Sequence, residues 1–198
     1  MKKRLKFKKL LNESKFLQRE LELTREILSD VHYEFDEFYN HYCLDNNIDI
    51  KSLKSKHSER VEKIMGTSIV NKVAEKVSEK EYNSKQVFRD VARKLHPDVV
   101  GPDDPLKNEY EEAFKQANNA IEKGKWSTLF DIADQYDIEI SDYDAAIEAI
   151  KKDIKRIKKQ IDSEQNTYSW KFYQCEEDEN CRKDCIEQFL RHLFVYKN

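Results

Sequence analysis

Glycine and proline are nearly missing from this chain of 198 residues, which holds three of each. That shortage excludes folds that turn on glycine, such as β-sandwiches and dinucleotide-binding α/β sheets. No apolar run approaches the roughly 18 residues that a membrane helix needs. The basic start, MKKRLKFKKLL, has no apolar stretch long enough for a secretion signal. The four cysteines, Cys43, Cys175, Cys181 and Cys185, are too few for a disulfide scaffold and point to a reducing, cytoplasmic compartment. Neither charge dominates: the net charge is −3, too small to draw the whole molecule to nucleic acid. There is no phosphate loop, dinucleotide fingerprint or nucleophile–base pair, which argues against an enzyme and gives no reason to expect a cofactor.

What the chain does have is charge, 38% of its residues, laid out in helical periods. Leu10, Leu17, Thr24, Val31 and Phe38 recur every seven residues. Ser14, Leu21, Leu28, Phe35 and Tyr42 follow each of them by four, giving an apolar seam over residues 1–45. Turn chemistry in LDNNID, residues 44–49, ends it. The signal returns at Ile140, Tyr143, Ile147, Ile150, Ile154, Ile157 and Ile161, with Ser141 or Asp142 placed to cap the helix. Two seams flanking a compact middle predict an antiparallel helical hairpin, a coiled-coil stalk with the middle at its tip. Pairing between two chains is the alternative, and tethering favours closure within one. After the aromatic stretch TYSWKFYQ, residues Ile186, Phe189, Leu190, Leu193 and Phe194 mark a terminal amphipathic helix expected to fold back on the stalk. The partition is therefore 1–45, 51–140 and 141–198, all α.

The middle reads as several helices. Lys56 to Ser78 is helical by composition. Asn83 to Leu95 buries Val87, Phe88, Val91, Ala92 and Leu95, with Asn83 or Ser84 as cap. Leu106 to Glu122 presents Tyr110, Ala113, Phe114, Ala117 and Ile121, and Gly124 closes it in the left-handed conformation. A short helix follows with Trp126, Leu129, Phe130, Ile132 and Ala133.

All three prolines, Pro97, Pro102 and Pro105, fall in RKLHPDVVGPDDP, between two of these helices. Pro97 has a fixed φ and biases His96 toward extended geometry. An imidazole and the carboxylate of Asp98 are thus offered with little backbone freedom, which lowers the ordering cost of docking. No partner for Asp98 is adjacent in sequence, so it suits an arginine on another protein. Lys85, Arg89 and Arg93, spaced by four, and Lys94 beside them make the preceding helix basic, a stripe that steers an acidic partner.

His96-Pro97-Asp98 matches the signature tripeptide of the J-domain, the module of DnaJ-type co-chaperones. QVFRDVARKLHPD resembles that family's second helix, with Phe88, Arg89, Ala92, Arg93 and Lys94 in place, and FKQANNAI, residues 114–121, resembles its third. KGKWSTLFDIADQYDIEI is similar to a subset of bacterial and phage J-domain proteins, in which the module sits between coiled-coil segments and an aromatic stretch like SWKFY follows. The family's first helix usually carries a tyrosine and a Leu-Gly-Val-like stretch. Here the region reads SIVNKVAEKVSEK, with Val70, Val73 and Val77 as its expected packing face.

The resemblance implies a J-domain-like module on the stalk that binds a DnaK-family (heat-shock 70 kDa type) chaperone through His96, Pro97, Asp98, Lys85, Arg89, Arg93 and Lys94 and stimulates its ATP hydrolysis. An unknown client protein would be the second partner, and the setting the cytoplasm, or a host's cytoplasm for a phage protein. The alternative is a structural adaptor whose J-like domain stimulates nothing and whose coils do the binding. Membrane and nucleic acid are not expected as partners.

Other signals favour packing. Cys175, Cys181, Cys185 and His192 lack the short CxxC knuckle of structural zinc, and His41 with Cys43 is no better, so no metal is expected. The basic head, with Lys2, Lys3, Arg4, Lys6, Lys8 and Lys9 around Leu5, Phe7, Leu10 and Leu11, reads as the start of the coil with a solvated face.

Overall fold

A computed structural model of the protein describes residues 2–53, 55, 82–101 and 104–194. The expected helix from Lys56 to Ser78, and with it the packing face of Val70, Val73 and Val77, lies outside these residues. Among the described residues the secondary structure is helical throughout, as expected, with no strand. Besides a helical stretch at residues 50–53 and 55, the helices are α1 (Lys2–Asp45), α2 (Tyr82–Leu95), α3 (Lys107–Glu122), α4 (Trp126–Gln135), α5 (Tyr143–Gln165), α6 (Tyr168–Gln174) and α7 (Glu179–Phe194). The chain forms two compact units, Met1–Leu21 with Lys76–Gln160 and Glu22–Glu75 with Ile161–Asn198. Helices α1 and α5 contribute to both.

Helix ends show how a glycine-poor chain turns. Gly124, at φ 60°, closes α3 as expected: the amides of Gly124 and Lys125 donate to the carbonyls of Ile121 and Ala120. The same double bond closes α1, where Asn47 stands at φ 54°, and α4, where Asp137 stands at φ 51°. At these two ends ordinary side chains occupy a conformation that suits glycine. Three N-termini are capped by a side chain in the usual way. Asp142 accepts the amides of Asp144 and Ala145 at the start of α5, Thr167 that of Trp170, and Asp178 those of Asn180 and Cys181. Helix α2 is described from Tyr82 on, and the side chains of the expected caps, Asn83 and Ser84, lie outside the described residues.

In the first unit, Phe7, Leu11 and Leu17 of α1 are buried with Val87, Val91 and Leu95 of α2, Ala113, Ala117 and Ala120 of α3, and Leu129, Phe130, Ile132 and Ala133 of α4. The isoleucine seam of α5 is buried as its spacing predicts. Phe7 meets Phe130 and Tyr143 edge-on, at 5.9 and 5.4 Å. Helices α2 and α3 run antiparallel: Phe88 and Phe114, each seven residues in from the intervening loop, stack at 6.1 Å.

The expected antiparallel hairpin of the two seams is corrected here. Lys3 pairs with Asp144 and Glu13 with Lys158 at 2.9 Å, so α1 and α5 run parallel. The antiparallel neighbour of α1 is α4, through Lys8–Asp134 at 3.2 Å, Lys15–Asp131 at 2.5 Å and Gln18–Ser127 at 3.2 Å. Because α4 carries the chain back to the beginning of α1, α5 starts there and follows α1 in the same direction.

The second unit is built on aromatic packing. Phe35 of α1 meets Phe172 of α6 at 5.4 Å and Phe189 of α7 at 5.3 Å, and Tyr39 meets Phe189 at 5.7 Å. Ile186 and Leu190 are fully buried, so α7 folds back on α1 as its apolar face predicts. The heptad of α1 drifts here: Phe38 and Tyr42 are half-buried while Tyr39 and Cys43 take the core. A helix of 3.6 residues per turn rotates by about 20° per heptad and produces that shift.

Candidate functional site

The His96-Pro97-Asp98 segment forms a tight turn that opens at His96, the residue just after α2. The amide of His96 still donates to the Ala92 carbonyl at 3.0 Å, and the His96 carbonyl accepts from Val99 at 2.9 Å and Val100 at 3.2 Å. The helical bonding of α2 therefore runs into His96 before the chain reverses, and buried Val100 anchors the far side. The base of the turn is tied again by Tyr136, which follows α4. Its hydroxyl donates to Glu109 of α3 at 3.0 Å, its carbonyl accepts from Lys94 of α2, and its ring meets Tyr110 at 5.6 Å. Burial, helped by Glu109, pushes this phenol up to about 12.

The two polar side chains of the turn differ in exposure. Asp98 is 88% exposed, which agrees with a carboxylate offered outward. His96 is half-buried, its ring edge-on to Phe114 at 4.9 Å, so it is only partly displayed. Its Nδ1 accepts the Asp98 amide at 3.1 Å and lies 3.5 Å from the Asp98 carboxylate. A neutral ring with its lone pair on Nδ1 can make the first contact, and a protonated ring only the second.

Lys85, Arg89, Arg93 and Lys94 are all exposed, yet the stripe is weaker than the spacing of four predicts. Arg93 pairs with Asp90 at 2.8 Å, and Lys94 is spent on Tyr136. Lys85 and Arg89 are left without an acidic partner among the described residues.

Sequence reasoning missed two features. Asp153 of α5, only 4% exposed at its side chain, accepts the amide and hydroxyl of Ser127 at 2.7 and 3.0 Å and pairs with Arg156 at 2.9 Å. Set among lysines, it looks like part of a solvated face. The second feature is a disulfide between Cys175 and Cys181, Cα atoms 5.5 Å apart, which corrects the reading of all four cysteines as thiols. Cysteine count tests for a scaffold, whereas this bond is one local staple across the turn where Glu176 reverses the chain at φ 49°.

Cys43 and Cys185 are free and buried, and burial raises both thiols. Cys185 contacts the Tyr168 carbonyl at 3.6 Å, His192 the Tyr168 hydroxyl at 3.2 Å and His41 the Glu37 carbonyl at 2.9 Å. The residues of the zinc alternative are thus engaged with one another or with backbone and Tyr168. No group of three His, Cys, Asp or Glu placed to hold a metal occurs among the described residues.

No protein-family model, curated protein or solved structure matches this chain.

Proposed function

We propose that the protein is a J-domain co-chaperone that docks the His96-Pro97-Asp98 turn on a DnaK-type chaperone and stimulates its ATP hydrolysis. The observation that carries this reading is Asp98: a nearly fully exposed carboxylate on a turn braced at both ends, between two antiparallel helices. Such a group meets a cation on a partner with little ordering cost. Lys85 and Arg89 on α2 supply attraction over a longer range. Only contacts that differ between the partner's nucleotide states can shift its equilibrium, and His96 and Asp98 are the groups the turn offers for them. The setting we propose is the cytoplasm, where thiols are kept reduced and Cys175–Cys181 would open. The activity is expected to be independent of that bond, because it lies in the unit that does not carry the turn.

The test is single-turnover ATP hydrolysis by a DnaK-type chaperone with the wild type and with Asp98→Asn. Stimulation by the wild type that disappears in the variant is the expected result. A folded wild type that leaves the cognate chaperone's rate unchanged would replace this reading with the non-stimulating adaptor.

A further inference from the structure

The chain's charges nearly balance in sum, but the structure sorts them unevenly over the first unit. Many exposed lysines are neutralised across or along helices: Lys3 by Asp144, Lys8 by Asp134, Lys15 by Asp131, Lys151 by Glu148 and Lys158 by Glu13. Of those that remain, two groups lie close together, apart from Lys85, Lys123 and Lys125 elsewhere in the unit. On α1, Lys2, Lys6 and Lys9 are exposed and have no acidic partner among the described residues. On α5 the same holds for Lys152, Lys155 and Lys159, which share one helix face at i, i+3 and i+7.

The two groups adjoin. The ion pairs Lys3–Asp144 and Glu13–Lys158 mark the edge where α1 and α5 meet. Lys6 is three residues after Lys3, Lys9 four before Glu13 and Lys155 three before Lys158, so all three lie along that edge between the two pairs. The same outer stripe of α1 exposes large apolar side chains, Leu5 at 63% and Phe16 at 70%, about 16 Å apart along the helix.

The geometry points to a peripheral membrane-binding face: α1 and α5 of the first unit lie on a leaflet of anionic headgroups, lysines on the phosphates and Leu5 and Phe16 at the acyl boundary. Charge complementarity names the headgroup, and the apolar pair selects lipid over nucleic acid. A phosphate backbone would satisfy the lysines but leave Leu5 and Phe16 in water, whereas an interface takes both. No helix among the described residues is long and apolar enough to cross a membrane, and this face lies flat without crossing. It is independent of the His96-Pro97-Asp98 turn and does not rest on the co-chaperone reading.

The experiment is co-sedimentation of the full chain with phosphatidylcholine vesicles, with and without about one third phosphatidylserine, at low and physiological salt. The expected result is binding only to the anionic vesicles, weakened by salt. At roughly one cation's worth of attraction, about fivefold, per lysine neutralised, Lys6→Gln/Lys9→Gln/Lys155→Gln should weaken it about a hundredfold. Leu5→Ser/Phe16→Ser should weaken it measurably at unchanged charge. All five positions are exposed, and circular dichroism checks that both variants stay folded. Absence of binding at low salt would overturn the inference. So would binding indifferent to Leu5→Ser/Phe16→Ser and displaced by a single-stranded oligonucleotide, which would make the lysines a nucleic-acid surface instead.

Discussion

Asp153 and Ser127 form a helix cap supplied from another helix: the buried carboxylate on α5 takes the backbone amide and hydroxyl at the start of α4. Helix α4 has no side-chain cap of its own, because Lys125 stands at that position. The cap therefore holds only while α5 is docked, and it couples the two helices. Arg156 completes the arrangement by neutralising the charge.

Removal of the carboxylate would leave the Ser127 amide unpaired and Arg156 without its partner. Asp153→Ala is expected to lower the unfolding free energy by about 1 to 3 kcal/mol, the usual effect of leaving a buried donor unsatisfied, since Arg156 is partly exposed and can turn to water. Asp153→Asn keeps an acceptor for Ser127 and should lose less. Urea midpoints for both variants would check this, and equal losses would show that the charge, not the cap, is what counts.

The turn separates structure from recognition. Asp98→Asn touches an exposed side chain and should change stability by less than about 0.5 kcal/mol. His96→Gln removes an edge contact with Phe114 and the acceptor for the Asp98 amide, with an expected loss of about 1 kcal/mol. Thermal melts read this difference. If both variants abolish chaperone stimulation while only the second melts lower, the loss of activity belongs to the surface and not to the fold.

What was legible in the sequence was what is local. The seams of α1 and α5 could be read from period alone, and the end of α3 from Gly124, because helical period and a left-handed residue need no distant partner. The turn at His96 stood out because the chain's prolines gather there. Period carries no direction, so the parallel course of α5 beside α1 could not be read. It follows from where α4 delivers the chain. Asp153 was hidden for the same reason: its burial depends on Ser127, 26 residues away.

Glycine-poor helix ends offer sites for stabilisation. Asn47, Asp137 and Glu176 adopt φ between 49° and 54°, where a side chain costs about 1 kcal/mol or more relative to glycine. Asp137→Gly and Glu176→Gly should each raise the unfolding free energy by several tenths to 1 kcal/mol, after the greater freedom of glycine in the unfolded chain is set against that strain. Asn47→Gly should gain less, since asparagine tolerates this region better than other residues. Denaturant titrations of the three single variants would rank them, and a largest gain at Asn47 would contradict the argument.

Cys175–Cys181 closes a ring of six residues of sequence separation. In the chain-entropy account a ring that small stabilises by about 2 kcal/mol, well below the effect of a long loop. Oxidised and dithiothreitol-treated protein should differ by that amount in the unfolding of the second unit. The first unit, which contains neither cysteine, should unfold at the same denaturant concentration in both. An equal shift in every probe of structure would mean that the two units unfold together.

Alkaline pH tests two phenols, buried Tyr39 and half-buried Tyr136. Tyr39 and Tyr136 are each pushed up to about 12, both mainly by burial, with Cys43 and Glu109 respectively adding to it. An unfolded tyrosine ionises near pH 10, so between about pH 10 and 12 the unfolded chain loses protons that the folded chain retains. Stability from these groups is therefore fully present below pH 10 and falls as the pH rises toward 12. Phenolate absorbance during a pH titration should show a fraction of the ten tyrosines ionising late, or abruptly with unfolding. Tyr39→Phe should remove part of that late fraction, and Tyr136→Phe a second part. If the late fraction persists in the double variant, the phenols retained above pH 10 are others, and burial at Tyr39 and Tyr136 is not what delays the titration.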